Sequence, residues 1–169
     1  MNSIIQRLIR GNGAYAEDTV KKISRHMLAE EGQEPKVLII TCSDSRVIPE
    51  EVFSLSMGEA LVMRNAGGRI TEDVLEDVKF FTHEFASIQA IILMGHSQCG
   101  YYEYAVKNGI GVEPLVVECL KKKFSELELV NHISKMKVAE GLVKLEKIVP
   151  SNIKLRGAMY YIRTGIVEF

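Results

Sequence analysis

The sequence predicts an α/β fold, a mostly parallel central β-sheet of about four to five strands flanked by helices. Three observations predict it. The runs Lys36-Val-Leu-Ile-Ile-Thr41 and Ala90-Ile-Ile-Leu-Met94 are short, continuously apolar and rich in β-branched residues, as strands covered on both faces of a parallel sheet are. Between them, residues 71–86 carry an apolar stripe at helical spacing. Strands that alternate with helices in this way pair in parallel, with the helices layered on the sheet.

Taken in order, residues 2–10 and 15–30 read as helices, with Val20, Ile23 and Met27 on one face and Gly11-Asn12-Gly13 as the break between them. They form an N-terminal helical arm, 1–30, ahead of an α/β core spanning 36–169, all within one domain of 169 residues. The first strand is 36–41 and Leu61-Val-Met63 the second. The helix over 71–86 has Thr71 as its cap and Glu72 and Asp73 at the positive end of its dipole. Its stripe is Val74, Val78, Phe81 and Phe85. The third strand is 90–94. A later helix over 135–149 repeats the spacing with Val138, Leu142, Leu145 and Val149, and Pro150 stops it. Residues 153–169 read as strand, turn at Thr164-Gly165, and strand.

Composition excludes several classes. A formal net charge of −1 supplies no attraction for nucleic acid or an anionic membrane. Lys121-Lys122-Lys123 is too short a basic run to alter that, and acids follow at Glu126 and Glu128. The apolar runs fall far short of the ~18 residues a membrane span needs. Polar residues interrupt anything like a leader at the N-terminus. Three cysteines, an odd number, argue against a disulfide framework and for a reducing cytoplasm.

In a parallel sheet the ligand site lies at the carboxyl ends of the strands. Cys42 follows the first strand there, and His96 and Cys99 follow the third within Gly95-His-Ser-Gln-Cys-Gly100. Two thiolates and an imidazole suit tetrahedral Zn²⁺, and three protein ligands leave the fourth position open. Cys99 also stands near a helix N-terminus, which favours its thiolate. Alone, His-x-x-Cys is a weak pattern that core packing explains as well. Cys42-Ser-Asp44-Ser-Arg46 strengthens it, because an acid and a base this close to a ligand are costly to bury unless paired.

At these residues the chain resembles the β-class carbonic anhydrases, whose signatures are Cys-x-Asp-x-Arg and His-x-x-Cys. They stand here as Cys42-Ser43-Asp44-Ser45-Arg46 and His96-Ser97-Gln98-Cys99. The segment Gly58 to Gly68, with Arg64-Asn65, is similar to the family's Arg-Asn stretch. Gly32-Gln33-Glu34-Pro35-Lys36 resembles the lead-in of plant-type members, and 156–165 the closing hairpin. The resemblance implies reversible hydration of carbon dioxide to bicarbonate and a proton by hydroxide on one Zn²⁺ per chain. Cys42, His96 and Cys99 would be the ligands. Asp44, held ionised by Arg46, would accept the nucleophile's hydrogen bond.

The same resemblance implies substrate contacts from Gln33, Leu61, Ala66 and Phe81. Phe81 stands where plant-type members carry a tyrosine, so that hydroxyl is lost. Some members also show a closed state in which the aspartate leaves its arginine and binds the metal, a role that would fall to Asp44. The plant-type Gln33 favours the open state near neutral pH. The family's unit implies a homodimer or an assembly of dimers, with the N-terminal helices packed on the other subunit and pocket residues supplied across the interface. Tyr101 and Tyr102 depart from the pattern, since many members have small residues there. Cys119 reads as an idle thiol, and nothing singles out His26, His83 or His132 as a proton shuttle. Two other functions remain open: hydrolysis of carbon disulfide or carbonyl sulfide on the same scaffold, and a non-catalytic zinc or bicarbonate-binding module. The Asp44–Arg46 pair argues against the second.

Overall fold

The computed structural model describes residues 3–169. Five strands form one sheet: β1 (Val37–Cys42), β2 (Ala60–Asn65), β3 (Ala90–His96), β4 (Lys154–Tyr161) and β5 (Ile166–Glu168). Their order is β2-β1-β3-β4-β5, parallel at every pairing except β4 with β5. The α/β architecture is therefore as expected, with the C-terminal hairpin as its antiparallel edge.

The central strands β1 and β3 are the two apolar runs. Leu38 and Ile40 join Ile91 and Leu93 under Val74 and Val78 of α4 (Glu72–Glu84) and Leu145 of α7 (Glu126–Leu145). Fully burying each of these side chains stabilises the fold by roughly 1.5–3 kcal/mol. Thr71 caps α4 as expected, its hydroxyl accepting the Val74 N–H at 3.4 Å.

A second apolar cluster gathers Tyr102 of α5 (Gly100–Asn108), Val117 of α6 (Pro114–Lys121) and Leu129, Val130 and Ile133 of α7 around Cys42 and Cys99. The ends of β1 and β3 are therefore roofed by helices that the sequence reading left unassigned. The helix expected over 135–149 begins nine residues earlier, at Glu126, and stops at Leu145. Its start is a capping box in which Ser125 Oγ accepts the Glu128 N–H and Glu128 Oε2 accepts the Ser125 N–H.

The N-terminal arm also differs. Gly11-Asn12-Gly13 does not break the first helix, and α1 runs over Ile4–Glu17. Asn2, included in the expected helix, lies outside the described residues. Exposed glycines cost a helix only about 1 kcal/mol each, whereas Asp18 offers α2 (Thr19–Glu31) a cap, accepting the Lys21 N–H at 3.0 Å. The turn falls there, clamped by Arg25, whose guanidinium donates to the carbonyls of Tyr15 and Ala16 at 3.0 Å. No residue of α1 or α2 is buried. Among the described residues, no helix is long and apolar enough to cross a membrane.

Candidate metal centre

Parallel pairing of β1 with β3 brings their carboxyl ends side by side, with Thr41 level with Met94. The Thr41 hydroxyl donates to the Met94 carbonyl at 2.8 Å, a bond between neighbouring strands one residue before Cys42. Cys42 and His96 are the last residues of their strands, and Cys99 caps the start of α5. Their donor atoms lie within 4.8 Å of one another, all three side chains are buried, and the two sulfurs are 4.0 Å apart as free thiols.

The imidazole has a defined orientation. His96 Nδ1 is 2.9 Å from the Ser97 carbonyl, which can only accept, so Nδ1 carries the proton. Nε2 then holds a lone pair, is buried, and has no hydrogen-bond partner among the described residues. An unpaired buried acceptor is costly, and this one shares its space with two sulfurs. A cation of the Zn²⁺ type would satisfy all three at once.

The thiols are already polarised toward that role. Cys42 is drawn well below the usual thiol range, chiefly by the Cys99 side chain, with help from His96 and the Asp44 and Gly67 backbone N–H groups against the opposing effect of burial. The Gly67 N–H reaches Cys42 Sγ at 3.2 Å. Cys99 is pushed the other way, by Cys42 first and burial second, while the Tyr101 and Tyr102 backbone N–H groups oppose the rise. The site thus favours the thiolate at Cys42 over that at Cys99.

Asp44 is gripped by a single neighbour. Its Oδ1 accepts from Arg46 N and Nε, each at 2.9 Å, and its Oδ2 accepts from Arg46 Nη2 at 2.8 Å. The Arg46 side chain is the main reason the Asp44 pKa falls to about 2. Arg46 Nη2 also donates to the Gln98 carbonyl at 3.1 Å.

Three residues that sequence reasoning did not assign hold this loop work in place. Arg64 donates to the carbonyls of Cys42, Asp44 and Val47 at 3.3, 2.8 and 2.6 Å, binding the 42–47 loop from β2. Asn131 of α7 accepts the Gln98 N–H at 2.8 Å and steadies a non-glycine residue at φ +56°. Tyr102 donates to the Gly67 carbonyl at 2.9 Å. The motif spacing could have suggested only Arg64, through the Arg64-Asn65 segment.

The proposed substrate contacts are less concentrated. Ala66 lies in the short 3-10 turn Ala66–Gly68 beside the Cys42 sulfur. Gln33 is exposed in the loop between α2 and β1. Leu61 and Phe81 pack against the first core cluster. Leu61 is level with Leu38, four positions along the strand from Cys42, or roughly 13 Å at ~3.3 Å per residue. Within one chain these two do not meet the metal donors. His26 pairs with Glu30 at 3.1 Å and His132 stacks on Phe124 at 4.9 Å.

Fold and site together define a class: an α/β protein with a Cys-His-Cys group that could hold one metal ion at the ends of adjacent parallel strands, and a nearby carboxylate bound by an arginine. The family model described as carbonic anhydrase matches residues 37–155, more than half of the chain. The chain belongs to the carbonic anhydrase family, in its β class. A carbonic anhydrase of Synechocystis sp. is 33% identical over 159 residues, covering 88% of this chain and 57% of that protein. One of Synechococcus elongatus is 40% identical over 74 residues, covering 41% of this chain and 27% of the other. The chain thus spans from about a quarter to about half the length of these relatives. Among solved structures, the β-carbonic anhydrase CcaA matches at a TM-score of 0.75 and 26% identity, over 98% of this chain and 94% of that one. A tetrameric β-carbonic anhydrase of Sordaria macrospora shares the fold at 0.79 and 23% identity, over 97% and 95%.

Proposed function

We propose that this chain is a zinc-dependent carbonic anhydrase that interconverts carbon dioxide and bicarbonate. The observation that carries the reading is the unpartnered, buried His96 Nε2 facing Cys42 and Cys99, beside a carboxylate clamped by Arg46. Zn²⁺, when bound, lowers the pKa of a water toward ~7 and so supplies a hydroxide nucleophile at neutral pH.

The chain's own residues do the rest. Asp44, kept ionised by Arg46, can only accept, so it takes the nucleophile's hydrogen bond and leaves an oxygen lone pair free for carbon. Arg46, tied to the Gln98 carbonyl, keeps Asp44 from moving onto the metal and closing the site. Ala66 orients the small substrate. Gln33, Leu61 and Phe81, remote from the donors of their own chain, line the pocket of a second subunit in a homodimer or an assembly of dimers. The exposed apolar face of α1, Ile4, Ile5, Leu8 and Ile9, supports such an assembly. The cytoplasm suits the centre, because its thiols stay reduced there.

Stopped-flow hydration of carbon dioxide by zinc-loaded protein tests the reading, run beside carbonyl sulfide and carbon disulfide. Hydration well above background, lost in Asp44→Ala, is expected. No hydration with turnover of carbon disulfide would favour the second reading. That reading is motivated by a carbon disulfide hydrolase of Saccharolobus solfataricus, 27% identical over 117 residues, covering 63% of this chain and 57% of that protein.

A further inference from the structure

Tyr102 touches the metal centre from behind at two points. Its backbone N–H faces Cys99 at the start of α5. Its side chain, buried within the cluster that holds both cysteines, reaches across to donate a 2.9 Å hydrogen bond to the Gly67 carbonyl. The Gly67 N–H in turn donates to Cys42 Sγ at 3.2 Å.

Gly67 sits in a turn braced from two sides: Tyr102 holds its own carbonyl, and Arg69 Nε donates at 2.9 Å to the Ala66 carbonyl, in the same peptide as the Gly67 N–H. Gly67 itself is at φ +79°, ψ 1°, a region glycine enters without steric cost but also leaves easily. Its two peptide planes meet at the Gly67 Cα, so the Tyr102 bond fixes the plane that follows and the Arg69 bond the plane that carries the N–H. Without the Tyr102 bond the turn that presents the N–H to the sulfur is held from one side only. An N–H···S bond withdraws charge from a thiolate, and its presence sets how strongly the sulfur donates to a metal.

We propose that Tyr102 is a positioning residue of the metal centre: its hydroxyl, holding the Gly67 carbonyl, steadies the turn that presents the Gly67 N–H to Cys42 Sγ and so holds this ligand in place and tunes its donor strength. The inference rests on the metal site of the proposed function. Outer-shell groups that orient ligands typically change metal affinity by about ten- to a hundred-fold when removed.

The test is Tyr102→Phe, which keeps the ring in the core and deletes only the donor, with Tyr104→Phe, exposed on the same helix, as the control. Zinc affinity by chelator competition should fall about ten-fold or more in Tyr102→Phe and stay unchanged in Tyr104→Phe. In cobalt-substituted Tyr102→Phe the sulfur-to-cobalt charge-transfer band should move to lower energy, because the thiolate no longer shares charge with the N–H. Wild-type affinity, or a weakened site with an unshifted band, overturns the proposal, the latter by showing a merely structural role. Failure of the wild-type chain to bind zinc at all would instead refute the function on which it rests.

Discussion

Replacing Gly67 with alanine tests whether the turn beside the cysteines is sterically determined. The residue lies at φ +79°, where an L side chain costs about 1–2 kcal/mol. The added Cβ would stand 2.5 Å from Tyr101 Cδ1 and 3.2 Å from Tyr102 Cζ. The Tyr101 ring cannot easily yield, since the Arg69 guanidinium lies over it at 4.8 Å and the Tyr102 ring meets it edge-on at 5.3 Å. Overpacking of this kind adds about 1–3 kcal/mol, for a total of about 2–5 kcal/mol. Gly109, the left-handed cap of α5 at φ +63°, has nothing within 4 Å of its would-be Cβ. Gly109→Ala should therefore cost only the conformational part, about 1–2 kcal/mol. Urea unfolding of the zinc-free variants, at one protein concentration, measures both. Equal midpoints for Gly67→Ala and Gly109→Ala would refute the steric argument.

Zinc content should separate the cysteines: Cys42→Ser and Cys99→Ser should purify with far less than one zinc per chain, and Cys119→Ser, exposed, with the wild-type amount, as atomic absorption will show. Arg46→Ala should keep zinc and lose hydration, with cobalt spectra reporting Asp44 as a fourth ligand; wild-type activity would disprove the clamp. The same variant has a pH signature. Because Asp44's pKa is depressed from 3.8 to about 2, the pair stabilises the fold above pH ~4 and loses that contribution as pH falls through about 2. The depression corresponds to about 2 kcal/mol, reduced to about 1 kcal/mol because the Arg46 side chain is 47% exposed. The stability gap between wild type and variant should vanish in acid. Deleting residues 1–17, and with them α1, should weaken self-association in light scattering and lower activity; an active monomer at micromolar concentration would overturn the assembly.

How far the sequence could be read depended on where each signal resided. β1 and β3 were legible because burial on both faces leaves unbroken apolar runs, and α4 because one half-buried face leaves a stripe. Gly11-Asn12-Gly13 misled because an exposed helix tolerates glycine when nothing nearby competes for the turn, and Asp18 decided the break instead. The long α7 is buried on several sides, through Leu129, Val130, Ile133, Ser134, Gly141 and Leu145, so its stripe blurs, although Ser125 and Glu128 already spelled its start. At the site, ligands showed through their chemistry and spacing. Tyr102 and Asn131 did not, since they act on backbone atoms 35 and 33 residues away, where their own identity carries no motif.

The placement of the donors on neighbouring strands has a consequence for folding. Cys42 and Cys99 are 57 residues apart in the chain, so an ion gripping both closes a long loop as a removable crosslink would. Restricting a loop of this length lowers the conformational entropy of the open chain by an amount worth about 4 kcal/mol in the chain-entropy treatment. The enclosed segment holds β2, α4 and all of β3. Because β3 inside the loop pairs along its length with β4 outside it, taking the ion away lowers the stability of the whole sheet, and the urea midpoint should fall on chelation.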